Sequence, residues 1–317
     1  MTLRIAFIVD PLDKLKPAKD SSIAMMREAA RRGHDIWAVQ REALSLHGDE
    51  VMAEAVRIVP QRTDAPWYLA QESATRALRE FDAVLMRQDP PFDFEYITAT
   101  WMLERAAAAG VRVFNHPRAI RDHSEKVSIC EFPDLIAPTL VSRDTVAINA
   151  FIDRHGDCIL KPLDGMGGSR IFRVRADDAN RNVIIETLTE DGARTLMAQR
   201  YIPEITEGDK RVLLIAGEPV PYCLARIPKA GETRGNLAVG GRGVAQPLSE
   251  SDLAIARKLG PVLAARGLLL VGLDVIGDRL TEINVTSPTC MVEIRQQSGF
   301  DAASAFISAL EHLCGLS

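Results

Sequence analysis

Three side chains near the C-terminal end of the sequence carry oxygen atoms of the kind that bind a hard metal ion. They are Asp274, Glu282 and Asn284, within the stretch LVGLDVIGDRLTEINVTSPT. Mg²⁺ prefers octahedral oxygen coordination and usually binds one or two carboxylates together with substrate phosphates. The same pattern is also compatible with the polar outer face of a sheet. Because the adjacent runs are apolar, we favour a magnesium site that serves phosphoryl chemistry.

The turn between the two strands of this stretch decides whether the three side chains share a face. A two-residue turn pairs Asp274 with Thr281 and puts Asp274 on the face opposite Glu282. A three-residue loop over residues 277–279, or a β-bulge, pairs Asp274 directly with Glu282. Asn284 then lies two residues further along the same face. We therefore predict the loop or the bulge.

A lysine at the end of a predicted strand precedes a glycine-rich turn in ILKPLDGMGGS. The order differs from a P-loop, in which the lysine follows the glycines. Lys161 can still direct its ammonium group at phosphate oxygens, and Gly165, Gly167 and Gly168 allow backbone N–H groups to approach them. Lys126 is a second candidate cation. The alternative is a surface lysine beside an ordinary glycine turn.

Four residues that follow the next apolar strand could hold the nucleoside. Gln199, Tyr201 and Ile202 could hold adenine through backbone hydrogen bonds and apolar walls. Asp209 could bind the ribose. A strand that simply ends at a proline is the alternative for the first three.

Arginines recur around a polar, glycine-rich segment, residues 228–243 (PKAGETRGNLAVGGRG). Arg211, Arg226 and Arg234 carry planar guanidinium groups suited to phosphate or carboxylate. Each of them alone could be a solvated surface arginine. A segment of this composition in a compact domain is usually a mobile functional loop, and the arginines beside it favour that interpretation.

The composition limits the class of protein. The 317 residues are 47% hydrophobic and 26% charged, with a net charge of −5, so nucleic acid and anionic membranes are not expected as main partners. The five cysteines are scattered without a CxxC pair, and neither a signal peptide nor an apolar run of about 18 residues is visible. We predict a reduced, cytoplasmic enzyme that does not bind membranes.

The N-terminal part alternates strands and helices, which predicts an open, mainly parallel α/β unit over residues 1–122. Arg4 to Val9 is the first strand, and Asp20 caps the helix that follows. Strands at 34–39 and from Ala83 are expected next. Since ligands gather beyond the carboxyl ends of strands in such sheets, Ser21 and Arg87 are candidate substrate contacts.

Short strands dominate the rest of the chain. They predict antiparallel sheets with a few helices, an α+β organisation. We expect a central unit over residues 123–203 and a C-terminal unit over residues 204–317 that carries the 228–243 loop.

Five segments together resemble the bacterial glutathione synthetases, a family of the ATP-grasp superfamily. They read MRQDPPFD, ILKPLDGMGG, PVPYCLARIP, GETRGNLAVGGRG and VGLDVIGDRLTEINVTSP. The resemblance implies ATP-dependent ligation of γ-glutamylcysteine to glycine through an acylphosphate, with Mg²⁺, or alternatively Mn²⁺, as the metal. It also implies a tetrameric homo-oligomer. Ala230 stands where the family is expected to have glycine.

The resemblance also implies a role for each candidate residue. The phosphates of ATP would be bound by Lys126, Lys161, Gly165, Gly167 and Gly168, and its nucleoside by Gln199, Tyr201, Ile202 and Asp209. The metal would be bound by Glu282 and Asn284, with Asp274 beside them, and the transferred phosphoryl group would be stabilised by Arg211, Arg226 and Arg234. The substrate would be contacted by Ser21, Arg87, Ser287 and Pro288.

Two other functions remain open from the sequence. One is a different ATP-grasp carboxylate–amine ligase, such as a dipeptide ligase, which would not share the GETRGNLAVGGRG loop. The other is a catalytically silent nucleotide-binding protein, which would be expected to lack Lys161, Glu282 or one of the arginines; all are present.

Overall fold

Three sheets, A, B and C, follow one another along the chain in the computed structural model, which describes residues 1–165, 167–232, 234–235, 237 and 240–316. The α-helices are α1 (Ser21–Arg31), α2 (Phe94–Ala108), α3 (Pro117–Asp122), α4 (Thr145–His155), α5 (Arg181–Thr189), α6 (Glu250–Ala265), α7 (Met291–Ser298) and α8 (Ala302–Leu313). Short 3₁₀ helices span Leu78–Glu80, Val127–Glu131, Pro133–Leu135 and Pro203–Glu207.

The strands divide among the sheets in chain order. Sheet A contains β1 (Arg4–Ile8), β2 (Asp35–His47), β3 (Glu50–Pro60), β4 (Tyr68–Ala77), β5 (Ala83–Met86) and β6 (Val113–Phe114). Sheet B contains β7 (Thr139–Ser142), β8 (Asp157–Pro162), β9 (Phe172–Arg175) and β10 (Leu196–Arg200). Sheet C contains β11 (Asp209–Ile215), β12 (Glu218–Ile227), β13 (Arg242–Pro247), β14 (Leu270–Ile276) and β15 (Arg279–Asn284).

Sheet A has the order β4-β3-β2-β1-β5-β6 and mixes two kinds of pairing. β1 pairs in parallel with β2 and β5, and β5 in parallel with β6, as predicted. The expectation that the strand at Ala83 follows directly after the second strand is wrong, because the antiparallel β3 and β4 intervene. The strand β4 is mostly exposed and polar, so it lacks the apolar run that marks a buried strand.

Aspartates begin both long helices of the N-terminal part. The Asp20 carboxylate accepts a hydrogen bond from Ile23 N at 3.0 Å, as expected for the cap of α1. The Asp93 carboxylate accepts one from Tyr96 N at 2.8 Å and caps α2 in the same way. Each cap orients a helix on one face of sheet A, where the two faces pack separate apolar clusters.

Sheets B and C are antiparallel, with the orders β7-β10-β8-β9 and β13-β12-β11-β14-β15. Helices α4 and α5 pack on sheet B, and α6 packs on one face of sheet C. The opposite face of sheet C shares a core with sheet A, in which Leu213 and Phe306 join Ile23 and Leu85. The N-terminal part and sheet C are therefore held against each other by one continuous apolar core.

Two further observations concern the cysteines and the helices. All five cysteines are unpaired, in keeping with the expectation from their spacing. In the part of the chain that the structure describes, no helix is both long and apolar enough to span a bilayer.

Candidate active site

The hairpin β14–β15 shows the predicted pairing. Asp274 lies directly opposite Glu282, and Gly272 lies opposite Asn284. The turn itself has two residues, and the pairing is achieved by a bulge, since Val275 pairs with Leu280 while Asp274 pairs with Glu282. The bulge alternative is thus the one that forms, and it places Asp274 and Glu282 on one face of sheet C.

The extra residue of the bulge is Thr281, and its polar groups are used locally. Its hydroxyl donates to the Asp274 carbonyl at 3.1 Å, and its own carbonyl accepts from Lys161 Nζ at 3.3 Å. A bulged residue leaves the regular ladder, so its backbone can be contacted from another sheet. The bulge therefore connects the hairpin with β8 of sheet B.

Four charged side chains on β11, β12 and β14 form what we call the site cluster: Asp209, Arg211, Arg226 and Asp274. Arg211 Nε donates to Asp274 Oδ1 at 2.5 Å, and Arg226 Nη2 lies 2.9 Å from Asp274 Oδ2. Arg226 Nη2 also donates to Asp209 Oδ2 at 2.6 Å. Arg211, Arg226 and Asp274 are almost fully buried.

The two aspartates of the site cluster differ in electrostatic setting. Burial opposes ionisation of Asp274, but Arg211 and Arg226 together hold its pKa below the usual range. Burial raises the pKa of Asp209 above its usual range, with Arg226 opposing and Asp274 adding to the shift. The Asp209 Oδ1 atom is buried without a hydrogen-bond partner among the described residues. Asp209 is thus the member of the cluster with a free acceptor.

Glu282 and Asn284 supply oxygen atoms that fit a hard cation. Asn284 uses its amide nitrogen to donate to the Gly272 carbonyl at 3.1 Å, so the amide oxygen remains for a ligand. Glu282 Oε1 lies 2.8 Å from Lys126 Nζ. Asp274 is occupied by the two arginines, and within the described residues no three His, Cys, Asp or Glu side chains cluster as a metal site. The donor set that fits Mg²⁺ is the carboxylate of Glu282 with the amide of Asn284.

A cleft of about 120 Å³ lies between sheets B and C. Its walls contain every residue predicted to contact ATP: Lys126, Lys161, Gly165, Gly167, Gly168, Gln199, Tyr201, Ile202 and Asp209. Arg173 stacks over the Tyr201 ring at 3.6 Å, and the buried Gln199 donates to Thr139 Oγ1 at 3.0 Å. The fold therefore brings together residues of sheet B, of sheet C and of the segment before the 3₁₀ helix Val127–Glu131, although they are far apart in sequence.

The two lysines of the cleft have different surroundings. Burial lowers the pKa of Lys161, with the carboxylate of Glu282 acting in the opposite direction. Burial also acts to lower the pKa of Lys126, but its contact with Glu282 raises it overall. Both ammonium groups point at protein oxygens, since Lys126 Nζ donates to the Gly165 carbonyl at 2.6 Å.

The loop predicted over residues 228–243 contains a short segment of β13 at its end. Arg234 connects this loop to the glycine turn, because its Nη1 donates to the Gly168 carbonyl at 3.2 Å. It also pairs with Glu232 at 2.7 Å. The loop residues Thr233, Asn236, Ala238 and Val239, and Met166 of the glycine turn, lie outside the described residues. The mobility of the loop stays a prediction.

A second cavity, of about 560 Å³, adjoins the cleft and is bounded by the N-terminal part. Sequence reasoning missed much of its charged lining, which includes Asp10, Lys14, Lys16, Lys19, Glu125 and Glu293. Asp10 follows a strand of the parallel part of sheet A, so the strand-end rule could have identified it. Glu125 precedes a 3₁₀ helix, and no sequence signal marks it.

The four predicted substrate contacts separate into two groups. Ser287 lines the larger cavity. Ser21, Arg87 and Pro288 are buried, and they bind other parts of the protein. Ser21 Oγ accepts from Met291 N at 3.2 Å, and Arg87 Nη2 donates to the Pro288 carbonyl at 2.9 Å. These contacts join the N-terminal part to the segment after β15, and a direct substrate role for the three stays a prediction.

Comparison with protein families identifies the chain along nearly its whole length. The model of the prokaryotic glutathione synthetase N-terminal domain matches residues 3–121, and that of the prokaryotic glutathione synthetase ATP-grasp domain matches residues 125–299. The boundary between the two matches falls just before Glu125 and Lys126.

Curated relatives agree with the family models. A glutathione synthetase of Ralstonia nicotianae is 58% identical over 313 residues, covering 99% of this chain and 97% of the relative. One of Nitrosomonas europaea is 56% identical over 312 residues, covering 98% of each chain.

Solved structures of similar fold are more distant in sequence. The D-cycloserine synthetase DcsG superposes with a TM-score of 0.68 at 15% identity, covering 98% of this chain and 99% of that one. The ATP-grasp ligase PsnB, complexed with minimal precursor, Mg and ADP, gives 0.63 at 19% identity and covers 98% of each chain. These likenesses establish the ATP-grasp fold, and with the family models and the curated relatives they show that this chain belongs to the prokaryotic glutathione synthetase family.

Proposed function

We propose that this protein joins γ-glutamylcysteine to glycine at the expense of ATP, through an acylphosphate. In the first step a carboxylate oxygen of γ-glutamylcysteine bonds to the γ-phosphorus of ATP, and ADP leaves. In the second step the glycine amine bonds to the acyl carbon, phosphate leaves, and the amine loses a proton. The family and the named relatives support this reaction.

The observation that carries the proposal is the shared wall of the two cavities. Gly165, Gly167, Asp274 and Glu282 line both the cleft and the larger cavity. A nucleotide in the cleft would therefore place its terminal phosphate where a carboxylate in the larger cavity can reach it. Lys14, Lys16 and Lys19 also line the larger cavity and suit an anionic peptide substrate.

Charge stabilisation is the task proposed for the arginines. The phosphoryl group carries negative charge during transfer, and preorganised donors stabilise such charge strongly in a site from which water is excluded. Arg211 and Arg226 are held rigidly by Asp274, so little reorganisation is needed during the reaction. Arg234 would approach from the loop and act on the developing acylphosphate.

Glu282 and Asn284 are the proposed metal ligands, with Asp274 beside them. When bound there, Mg²⁺, or Mn²⁺ in its place, would neutralise phosphate charge and fix the phosphate oxygens. Lys126 now contacts Glu282, and it would be released to a phosphate oxygen when the cation takes its place. Lys161 would contact the phosphates from the opposite side.

Nucleotide binding requires the cleft to widen. Ligand pockets usually measure several hundred Å³, and the cleft measures about 120 Å³. Two hydrogen bonds hold the glycine turn against it, from Lys126 to the Gly165 carbonyl and from Arg234 to the Gly168 carbonyl. We infer that both break when ATP enters and that the 228–243 loop then closes over the acylphosphate, which water would otherwise hydrolyse.

The remaining parts of the proposal concern organisation. We propose three units, over residues 1–122, 123–203 and 204–317, with the second acting as the nucleotide lid. We further propose a cytoplasmic homo-oligomer, tetrameric by family resemblance, whose substrates are ATP, γ-glutamylcysteine and glycine.

Phosphate release tests the proposed reaction directly. Purified protein with ATP, Mg²⁺, γ-glutamylcysteine and glycine should release one phosphate for each glutathione formed, and omission of either amino-acid substrate should abolish product. Phosphate release that instead requires D-alanine would replace this proposal with a dipeptide ligase. Nucleotide binding without phosphate release under any of these conditions would favour a silent nucleotide-binding protein.

A further inference from the structure

An irregular segment carries the chain from the proposed metal ligand to helix α7. We call residues 285–290 the exit segment, because they follow Asn284 at the end of β15 and contain no helix or strand. Val285 and Thr286 at its start are buried. Buried backbone groups outside regular structure need partners from elsewhere. The position of Asn284 therefore depends on whatever binds the start of the exit segment.

Glu125 supplies most of these partners. Its Oε1 atom accepts from Val285 N at 2.9 Å, from Thr286 N at 3.1 Å and from Thr286 Oγ1 at 2.8 Å. Its backbone carbonyl accepts from Ile283 N at 2.8 Å. One residue thus binds the backbone on both sides of Asn284. One acceptor oxygen that receives three donors holds the three donor atoms at fixed distances from a single point.

Asn115 also binds the start of the exit segment, through the carbonyl of Val285. Its Nδ2 donates to the Val285 carbonyl and to the Leu270 carbonyl, both at 2.8 Å. Its Oδ1 accepts from Leu270 N at 2.9 Å. The N–H group of Val285 is therefore bound by Glu125 and its C=O group by Asn115. The start of the exit segment is held from two sides.

The residue next to Glu125 acts on the other proposed ligand. Lys126 Nζ contacts the Glu282 carboxylate at 2.8 Å. A shift of the Glu125–Lys126 backbone would therefore displace the surroundings of Glu282 and Asn284 together. Glu125 also lines the larger cavity. The residue that binds the backbone around Asn284 therefore borders the space proposed for the substrate.

We propose that Glu125 is a positioning residue for the metal end of the site, and that its carboxylate oxygen fixes the exit segment so that Asn284 meets the cation beside Glu282. This inference rests on the proposed function, because the cation is the one that would bind together with ATP. The role requires an acceptor oxygen at the right distance, and it does not require a negative charge. A general base for the glycine amine would require the charge, which separates the two roles.

Four variants test the role of Glu125. Glu125→Gln keeps the acceptor oxygen and the side-chain length. Glu125→Asp keeps the charge on a shorter side chain, and Glu125→Ala removes the acceptor. Thr286→Val is the matched control, because it removes one hydroxyl donor and keeps both backbone donors.

Two measurements are made on each variant. Mn²⁺ binding to the protein saturated with a non-hydrolysable ATP analogue is followed by electron paramagnetic resonance, with a protein-free blank. The kcat of glutathione formation is measured separately. We expect Glu125→Ala to weaken Mn²⁺ binding and lower kcat by roughly 10- to 100-fold, as for other residues that orient metal ligands. Glu125→Gln and Thr286→Val should each stay within roughly fivefold of the wild type.

The outcomes separate the alternatives. A loss in Glu125→Gln as large as in Glu125→Ala would overturn the proposal in favour of a charge or proton role. Unchanged Mn²⁺ binding in Glu125→Ala would also overturn it. If Glu125→Ala fails to fold by circular dichroism, weaker Mn²⁺ binding in Glu125→Asp than in Glu125→Gln supports the proposal and the reverse order refutes it. A wild type that makes no glutathione but shows this binding pattern would refute the proposed reaction alone.

Discussion

Two clusters of ionisable and hydrogen-bonding side chains are partly or fully buried in this protein, and they have different surroundings. The site cluster (Asp209, Arg211, Arg226 and Asp274) lies on sheet C beside both cavities. The other, which we call the helix cluster, joins α1 to α8 through Glu28, Arg32, His34 and Glu311. Arg32 contacts Glu28 at 2.8 Å and Glu311 at 2.6 Å, and His34 Nε2 lies 2.8 Å from Glu311.

The clusters differ in how completely their polar atoms are bound. In the helix cluster, Leu3 N donates to His34 Nδ1 at 3.2 Å. Among the described residues, no side-chain atom of the helix cluster is buried without a hydrogen-bond partner. In the site cluster, Asp209 Oδ1 lacks a partner among the described residues. An unbound buried oxygen is costly unless a ligand uses it. We therefore expect the site cluster, and not the helix cluster, to bind a ligand.

The largest effect on activity should follow from replacing the planar guanidinium group of Arg226. Arg226→Lys keeps the charge but cannot reach Asp209 and Asp274 with one planar group. We expect kcat to fall by roughly 100- to 1000-fold, the loss found when a preorganised donor is removed. Phosphate release measures it. Arg32→Lys in the helix cluster is the matched control and should leave kcat unchanged; equal losses in both variants would remove the distinction between the clusters.

A smaller effect is expected at Lys161, which lies on β8 and lines the cleft together with Asp209 and Asp274 of the site cluster. Lys161→Met should raise the KM for ATP by roughly 10- to 100-fold, since a hydrogen bond to a charged group contributes about 1.5–3 kcal/mol. Initial rates over a range of ATP concentrations give the value. The control is Lys258→Met, whose side chain is 49% exposed. A KM unchanged in Lys161→Met would exclude this lysine from the phosphate contacts.

The sequence predicts the parts of the site that depend on local periodicity. The alternation of side chains along β14 and β15 left two connections that could pair Asp274 with Glu282, a three-residue loop or a bulge, and the bulge forms. The strand-end lysine and glycine turn likewise lie on the cleft wall. Apolar runs also marked β1, and a cap marked α1.

Contacts between distant parts of the chain could not be predicted in this way. Nothing local indicates that Arg211 on β11 lies opposite Asp274 on β14, because that register is set by the packing of sheet C. Nothing local indicates either that Arg87 donates a hydrogen bond to the carbonyl of Pro288, 201 positions away, and its substrate role stays a prediction. The role of Glu125 could not be predicted because its partners, apart from the Thr286 hydroxyl, are backbone groups, which every residue offers.

The helix cluster should determine stability in acid. Hydrogen bonds from Arg31 and Arg32 lower the pKa of Glu28 to about 2 from 4.5. The carboxylate therefore stabilises the fold above about pH 4.5, and this contribution is lost as the pH falls towards 2. Because Arg31 is largely exposed and the carboxylate of the folded protein is still mostly ionised at pH 3, we expect a loss of roughly 1–2 kcal/mol in the free energy of unfolding between pH 6 and pH 3. Urea denaturation at pH 6 and pH 3 measures it.

The matched variant for this measurement is Glu28→Gln. It should reduce the difference in stability between pH 6 and pH 3, because the group that titrates is removed, and its kcat at pH 7 should equal that of the wild type. A difference as large as in the wild type would show that acid sensitivity arises elsewhere, for example at Asp274, whose pKa is also lowered.

The smallest effect is expected from Glu311→Gln, which neutralises one end of the helix cluster. The amide oxygen can still accept a hydrogen bond from Arg32, and the partly exposed charges are screened by solvent, so we expect a loss of about 1 kcal/mol in the free energy of unfolding. Urea denaturation at pH 7 gives this value, and phosphate release gives kcat, which should not change. Because α8 packs in the same apolar core as Leu213 of sheet C, a fall in kcat would mean that the helix cluster influences the site through this core. The two clusters would then have to be treated as one coupled system.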